Sequence, residues 1–242
     1  AICTRDDIMI YLIEKGIEEG VSFKIMEAVR KGKGLKPEEE EIMRKANVPK
    51  WYIDSCKKIK YMFPKAHAAA YVMMAWRIAY CKIFYPLAYY SAYFTIRASS
   101  FSYEIMCFGK ARLEEYIAQY QKKQETSSAS AKDEDTFKDM RIAQEMYARG
   151  FEFEEIDIYK AEATKCFITD NNKIMPPLSS IDGFGEVAAN QLVNARKAGE
   201  FISKDDLMER AKIGKSTCEL LDRLGLLKKL PQSNQMSIFD VL

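Results

Sequence analysis

Apolar residues recur every three or four positions through the first hundred residues, which is the period of amphipathic helices. Thr4 and Asp7 form a capping signature that predicts a helix start, and Gly16 predicts the end of that helix. Pro86 also predicts a break, because the residue before a proline is pushed out of helical geometry. Further helices are predicted at 23–30, from Pro37, at 51–59, from Pro64 to Tyr85, and from Pro86 to Tyr93.

The second half of the chain is predicted to be helical as well, with one short interruption. Helical patterns near 105–121 and 136–148 flank residues 124–135, which are rich in serine, alanine and charges and are expected to form a mobile connector. Two short runs at 165–168 and 173–175 are separated by polar turn residues, which indicates a β-hairpin. A compact helical unit is predicted at about 178–230.

Composition is typical of a folded chain. Of 242 residues, 48% are hydrophobic and 30% are charged, with 11 glycines and 7 prolines, which excludes wholesale disorder and fibrous architectures. Lysine and arginine total 37 against 35 acidic residues, so any nucleic-acid binding has to come from local patches.

Cysteine spacing and apolar runs indicate a cytoplasmic location. The six cysteines contain no CxxC pair and are expected to be reduced thiols in the core. Neither a membrane span nor a signal peptide is predicted. The chain begins at Ala1 rather than at a methionine, and we expect it to be part of a longer protein.

The sequence Gly183-Phe184-Gly185 carries the clearest chemical signal. Two glycines around one apolar residue, placed directly before a helix, are typical of a helix-hairpin-helix. Glycines permit positive φ and close backbone approach, while the first N–H groups of the helix point at a phosphate, so binding is independent of base sequence. The apolar face of that helix is formed by Ala188, Leu192 and Ala195.

A second copy of this hairpin is predicted around Gly214 and Lys215, with Ser216 standing at its second glycine position. The alternative for both copies is a pair of ordinary turns in a helical bundle. Gly214-Lys215-Ser216 also resembles the end of a phosphate-binding P-loop, but Glu209 stands where that loop needs glycine, and the preceding segment is helical.

The helix start at Pro64 is a second candidate site. A helix N-terminus favours phosphate, and the Lys65 charge with the His67 imidazole could bind a triphosphate there. Tyr71 lies four residues after His67 and therefore on the same helix face. The alternative is a core histidine beside a solvated lysine. Trp76, Tyr80 and Phe84 are expected in the core rather than in a stacking platform.

Three further segments have a functional and a structural interpretation. Asp6 and Asp7 are adjacent and are expected to cap helices rather than to bind a metal pair. The loop 31–34 either contacts a DNA phosphate or is a solvated helix end. Residues 235–239 either bind a partner pocket as an extended peptide or form a frayed terminus.

Several segments together resemble the C-family bacterial replicative DNA polymerases, in particular the PolC-type alpha subunits of DNA polymerase III in Gram-positive bacteria. The segment 57–72 is similar to the fingers region of that family, and 181–196 to its tandem helix-hairpin-helix domain. The segment 235–239 is similar to its sliding-clamp motif, with Met236 and Ile238 where leucines are common. Two upstream segments, 3–9 and 30–35, also match, whereas 122–138 matches poorly.

The resemblance implies a mainly α fold, with a helical fingers subdomain, a tandem helix-hairpin-helix domain, a short β-hairpin and a flexible C-terminal tail. The implied division is fingers at 1–100, a connecting region at 101–175 with a mobile segment at 122–138, the hairpin domain at 176–230, and a clamp-binding tail at 231–242.

The resemblance and the motifs together assign the candidate site residues. The implied nucleotide contacts are Arg5, Lys65, His67 and Tyr71. The expected DNA contacts are Gly183, Phe184, Gly185, Gly214, Lys215, Lys31 and Lys33. The implied clamp contacts are Gln235, Met236, Ser237, Ile238 and Phe239. No catalytic or metal-binding residue is assigned.

The function implied is that of the C-terminal part of a replicative DNA-directed DNA polymerase, a nucleotidyltransferase. Expected partners are duplex primer–template DNA, an incoming deoxynucleoside triphosphate, a sliding clamp and the rest of the polymerase chain, without a membrane. The palm carboxylates that hold Mg²⁺ in the parent enzyme lie upstream in this family, so this chain alone is expected to be inactive. The alternative is a non-catalytic DNA- and clamp-binding module with a fingers-like scaffold.

Overall fold

The computed structural model describes residues 2–233, and the chain divides into two compact units, Ala1–Tyr80 and Cys81–Leu242. The helices that lie in the first unit are α1 Arg5–Glu14, α2 Glu19–Arg30, α3 Pro37–Lys45, α4 Lys50–Lys58 and most of α5 Lys65–Phe84. The core of this unit is formed by the inward faces of α1 to α4. Its largest fully buried side chains are Ile8, Leu12, Ile25 and Met43.

Side chains that accept hydrogen bonds from free N–H groups define the first two helix starts. The Asp7 carboxylate accepts from the Thr4 N–H at 2.7 Å, and this bond lowers the pKa of Asp7. The Glu18 carboxylate accepts from Gly20 and Val21 at 2.8 and 2.9 Å, so α2 begins at Glu19 rather than at residue 23. Glutamate is a weak capping signal, and the hydrophobic pattern alone places this start one turn late.

The second unit is also mainly helical and contains one small sheet. Its α-helices are α6 Pro86–Ala92, α7 Tyr103–Met106, α8 Lys110–Glu125, α9 Ala131–Ala148, α10 Glu186–Ala195, α11 Lys204–Ala211 and α12 Lys215–Arg223. A π-helix covers Tyr93–Arg97, and short 3₁₀ turns cover Leu178–Ser180 and Arg196–Ala198. The two strands are β1 Phe167–Ile168 and β2 Ile174–Met175.

The predicted mainly α fold is confirmed, and so is the predicted β-hairpin. Strands β1 and β2 pair antiparallel, with Phe167 opposite Met175 and Ile168 opposite Ile174. Helices α8 and α9 cover most of the segment 122–138, and residues 126–130 connect them. Mobility of this segment and the proposed domain boundaries stay predictions.

Two hydrophobic cores hold the second unit together. One surrounds Tyr90, Leu113 and Met146, and the other surrounds Phe184 and its helical neighbours. The Arg196 guanidinium donates to the carbonyl oxygens of Ile158 and Ala161 at 2.8 and 2.7 Å. These bonds fasten the end of α10 to the chain that precedes the β-hairpin.

The expectation that Trp76, Tyr80 and Phe84 lie in a core is wrong. Their exposed fractions are 73%, 55% and 62%, and no residue of α5 is buried. Helix α5 is apolar around its whole circumference, so a spacing of four does not select one inward face.

Within residues 2–233, no helix combines the length and apolar character needed to cross a lipid bilayer.

The expectation of core thiols is correct for part of the set only. Cys56, Cys166 and Cys218 are buried, whereas Cys3 and Cys81 are exposed, and none of the six cysteines forms a disulfide. Burial raises the pKa of the Cys56 thiol to about 11, which makes it an unreactive core residue.

Candidate nucleic-acid interface

The first hairpin is a tight turn between the 3₁₀ turn at Leu178–Ser180 and helix α10. Gly183 has φ +87°, a left-handed conformation that strongly favours glycine. Phe184 is buried and anchors the turn, since its N–H donates to the Ile181 carbonyl at 2.9 Å. Gly185 then caps α10 with φ −69° and ψ 161°.

Backbone donors at this turn are open. No side chain caps α10, and the N–H groups of Gly185, Glu186 and Val187 donate to no acceptor within the described residues. A Cβ built on Gly185 would meet nothing within 4 Å, so the surface above these donors is clear. An anion of the size of a phosphate can therefore approach the positive end of the helix.

The second hairpin repeats this geometry between α11 and α12. Gly214 caps α12 with φ −74° and ψ 163°, close to the values of Gly185. Ile213 is buried where the first hairpin has Phe184. The buried positions four and seven residues after the capping glycine also agree, Cys218 and Leu221 matching Ala189 and Leu192.

This geometry shifts the alignment of the second hairpin by two residues. Gly214 corresponds to Gly185 rather than to Gly183, and Ser216 lies in the first turn of α12. The position equivalent to Gly183 is occupied by Lys212, with φ +52°. Sequence reasoning aligned the first glycine of one hairpin with the lone glycine of the other, because a lysine is an uncommon residue at positive φ.

The second hairpin has no glycine at the positive-φ position and carries two exposed lysines, Lys212 and Lys215. Lys212 is exposed and forms no ion pair among the described residues. The Lys215 side chain is 84% exposed, and its Nζ lies 3.9 Å from Glu219, at the outer limit of an ion pair. The second hairpin therefore presents charge as well as backbone donors.

The start of α5 brings together three segments that are distant in sequence. The Lys65 N–H donates to the Asp6 carboxylate at 2.6 Å. The Arg5 N–H donates to the Phe63 carbonyl at 3.1 Å, and the Met62 N–H donates to the Arg30 carbonyl at 3.2 Å. Residues 4–6, 30–33 and 60–65 thus form one surface, on which four of the predicted site residues lie.

A close backbone approach fixes the glycine–lysine loop onto this surface. Gly32 has φ +71°, and a Cβ there would lie 2.4 Å from the Lys60 carbonyl oxygen. Only glycine therefore fits at this position without moving the 60–63 segment. The loop presents Lys31 and Lys33 on either side of Gly32.

The charge of this surface is positive. The Glu27 carboxylate lies 3.4 Å from Arg5, 2.7 Å from Arg30 and 3.0 Å from Lys31. Hydrogen bonds from Arg30 and Lys31 lower the pKa of Glu27 to about 2. One carboxylate is thus shared by three cations, while Lys33 and Lys65 have no ion pair within the described part of the chain.

A ladder of four aromatic rings runs along the beginning of α5. Tyr61 packs edge-on against Phe63 at 4.9 Å between ring centroids. Phe63 stacks on His67 at 4.3 Å with planes 8° apart, and His67 stacks on Tyr71 at 4.2 Å. Both faces of the imidazole are therefore covered, and it can offer a ligand only its edge nitrogens.

The structure changes the chemistry expected at Pro64. The Lys65 N–H, which the sequence suggested as a phosphate donor, donates to the Asp6 carboxylate instead. The Lys65 N–H is therefore not available to a ligand, and the charged donors of this surface are the ammonium of Lys65 and the guanidinium of Arg5. Sequence reasoning missed Tyr61 and Phe63, although Phe63 lies four residues before His67, the same spacing that separates His67 from Tyr71.

The structure does not test two predictions, namely the clamp contacts and the expectation that no residue of this chain binds a metal. The clamp residues Gln235, Met236, Ser237, Ile238 and Phe239 lie outside the described residues. The described residues bring together no group of three or more His, Cys, Asp or Glu side chains that could hold a metal ion.

Comparison with known families agrees with the paired hairpins. Residues 150–236 match the family described as "Helix-hairpin-helix motif". This range contains both hairpins and the β-hairpin before them. The second unit therefore contains a helix-hairpin-helix domain, a class of DNA-binding module.

Nearly the whole length of the chain is also similar to part of several longer curated proteins. The chain is 52% identical over 235 residues to "DNA polymerase III PolC-type" of Bacillus subtilis (strain 168). Identity is 51% to the protein of the same name from Halalkalibacterium halodurans, and 49% over 242 residues to that of Clostridium perfringens. These matches cover 97–98% of this chain but 16% of each relative. The chain therefore corresponds in sequence to part of a PolC-type DNA polymerase III.

Proposed function

We propose that this chain is the C-terminal part of a cytoplasmic replicative DNA polymerase, in which it binds duplex DNA without base specificity, contacts the incoming nucleotide and attaches to a sliding clamp. The observation that carries the proposal is the pair of hairpins with matching backbone geometry at Gly185 and Gly214. The family and the name of its relatives support the polymerase context.

The hairpins bind DNA through its phosphates. The open N–H groups at the start of α10 donate to phosphate oxygens of one strand, and the helix dipole favours the negative charge. Lys212 and Lys215 add positive charge at the second hairpin. Because every base pair carries the same phosphates, this contact is independent of sequence.

A salt titration of duplex binding tests this proposal. Each hairpin neutralises about one or two phosphates, so log K falls against log salt with a slope of roughly −2 to −4, at about −0.9 per phosphate. Fluorescence anisotropy with two unrelated duplex sequences measures the slope, and both sequences give the same affinity. Absence of binding at low salt, or a strong preference for one sequence, would contradict the proposal.

The nucleotide contact is assigned to the surface at the start of α5. Lys65 and Arg5 supply positive charge for a triphosphate, while the edge of His67 donates one hydrogen bond. Tyr71 covers one face of His67 and holds the ring in place. These residues bind and orient the nucleotide, and chemistry takes place at groups outside this chain.

Mg²⁺ would act in the parent polymerase, where a metal pair stabilises the attacking and leaving oxygens. The residues at positions 2–233 do not fit such a pair. Asp6 and Asp7, the adjacent carboxylates, accept hydrogen bonds at the starts of α5 and α1. We therefore assign no metal-dependent step to this chain, and on its own it is proposed to be inactive.

Replacing Lys65 with alanine in a full-length polymerase tests the nucleotide contact. A charge-assisted contact is worth roughly 1.5 to 3 kcal/mol, so KM for the nucleotide rises or kcat falls by at least about tenfold. Single-turnover kinetics separate the two effects. Lys45→Ala is the matched control, because Lys45 pairs with Glu41 on the surface of α3. Unchanged kinetics in the Lys65 variant would assign that side chain to the solvated surface.

A fingers-like scaffold without nucleotide contact is the second candidate. It is favoured by the Asp6 carboxylate at the Lys65 N–H and by the covered faces of His67. In that case the chain acts through its DNA and clamp contacts alone. Normal nucleotide kinetics in both Lys65→Ala and His67→Gln variants would favour this candidate, and the presence of Asp-x-Asp motifs upstream in the parent gene would favour the polymerase.

A further inference from the structure

A polar groove of about 730 Å³ lies beside the first hairpin, within the second unit. One wall is the loop at residues 98–102, which follows the π-helix, and the opposite wall is the chain from Ser179 to Gly185. Phe94, Phe101 and Ile105 contribute apolar surface to the lining. Gly183 and Gly185 themselves lie at the edge of the groove, so it opens directly onto the hairpin.

Hydrogen bonds hold the 98–102 loop in place against the hairpin. The buried Asp139 carboxylate accepts from the Ser100 N–H at 2.8 Å and from the Tyr93 hydroxyl at 2.9 Å. The Ser102 hydroxyl donates to the Asp182 carboxylate at 2.5 Å, directly before Gly183. The groove is thus a preformed extension of the hairpin surface.

Most side-chain hydrogen-bond donors that line the groove have no acceptor among the described residues. The hydroxyls of Ser99, Ser100, Thr164 and Ser179 and the Lys132 ammonium have no partner among the described residues. Two carboxylates, Asp182 and Glu186, also line the groove, both at its hairpin end. One Asp182 oxygen is occupied by Ser102. Hydroxyls and an ammonium are therefore the free side-chain donors that a ligand meets in this groove.

We propose that this groove binds the sugar–phosphate backbone of the DNA strand that leaves the first hairpin. The inference rests on the proposed duplex binding and adds a second contact region to it. Serine and threonine hydroxyls commonly donate to phosphate oxygens, and an apolar floor suits the deoxyribose. The next phosphates lie along the free donors of the groove, which include Ser99, Ser100 and Lys132, away from the repulsion of Asp182 and Glu186 at its hairpin end.

The test compares two duplex lengths in anisotropy titrations of the 242-residue chain. The groove variant carries Ser99→Ala, Ser100→Ala, Ser179→Ala and Lys132→Ala. On a duplex of about 20 base pairs it binds about tenfold more weakly than the unmodified chain, and its salt slope is smaller by about 1. On a duplex of about 8 base pairs, which the hairpins alone can cover, affinity changes little.

A matched control and a second variant protect the test against misfolding. Ser128→Ala with Lys138→Ala removes one hydroxyl and one ammonium outside the groove, and Lys138 already pairs with Asp135. Ser99→Asp places one negative charge on an exposed side chain without a partner, so it weakens long-duplex binding while thermal unfolding stays unchanged.

The outcomes separate the groove from the hairpins. Equal affinity of the groove variant and the unmodified chain for the long duplex overturns the groove and leaves the proposed function standing. An equal loss on both lengths also overturns it, because the damage then lies at the hairpin. Failure of the unmodified chain to bind any duplex overturns both proposals. Complete removal of the length dependence by a deoxynucleoside monophosphate would assign the groove to a free nucleotide instead.

Discussion

Replacing Gly183 and Gly185 with valine is expected to remove most of the affinity of the chain for duplex DNA. Valine at Gly185 adds a branched side chain at the cap of α10, beside its open N–H groups, and the Cβ has room there because it meets no heavy atom within 4 Å beyond its chain neighbours. Hydrogen bonds to a charged group contribute roughly 1.5 to 3 kcal/mol, so the loss is at least about tenfold. Anisotropy titration against a duplex measures it.

The two glycines differ in the strain that valine would cause. Gly183 has φ +87°, and valine there is strained, whereas Gly185 has φ −69°, which valine adopts freely. The single variant Gly185→Val is therefore the cleaner test. Gly150→Val is the control for strain, since Gly150 also has positive φ and open space but lies outside the hairpins. Full affinity in the Gly185 variant would show that DNA is bound elsewhere.

Deleting residues 235–242 is expected to abolish binding to the sliding clamp. We expect Ile238 and Phe239 to fill an apolar pocket of the clamp while Gln235 satisfies a polar one. Burial of two such side chains is worth at most about 3 to 6 kcal/mol before ordering costs. Affinity therefore lies in the micromolar to high-nanomolar range, which calorimetry resolves, and binding of the polymerase to DNA reinforces it through effective concentration.

The tail prediction has its own control in the same chain. Ile238→Ala with Phe239→Ala removes the apolar contacts alone and gives the same loss as the deletion. Duplex binding and thermal stability stay almost unchanged in both variants, because the hairpins are intact. Equal clamp affinity with and without the tail would place the contact elsewhere, and a large loss of stability would assign Phe239 to the core.

Local signals made part of the fold predictable from sequence. The cap at Asp7 and the breaks at Gly16 and Pro86 act over a few residues, and the helices they bound lie where expected. The first hairpin was also predictable, because its two glycines and its buried phenylalanine are contiguous. Its biochemical role stays a prediction.

Contacts between distant segments could not be predicted. Asp6 and Lys65 are 59 positions apart, yet their hydrogen bond decides which donors remain at the start of α5. The same holds for Gly32, whose need for glycine comes from the Lys60 carbonyl and not from its neighbours in sequence. The alignment of the second hairpin needed backbone angles, because Lys212 occupies a position where a glycine was the expected marker.

Helix α5 shows a different limit of sequence reasoning. Its aromatic residues are spaced as in a buried helix, but burial also depends on a neighbour that covers them. Trp76 is 73% exposed because the described residues supply no such neighbour. Hydrophobic spacing therefore predicted the helix and its length but not its environment.

At position 212 of the second hairpin, thermal stability and the proposed DNA binding favour different residues. A non-glycine residue in the left-handed region lowers the stability of the folded chain by roughly 1–2 kcal/mol. Glycine at 212 would remove this cost, and the greater conformational freedom of the unfolded chain would offset part of the gain in stability. A designer who wants a more heat-resistant chain would therefore select glycine at 212. The same exchange would remove an unpaired positive charge from the surface proposed to hold DNA, so a screen for thermal stability alone would select a chain that binds DNA more weakly.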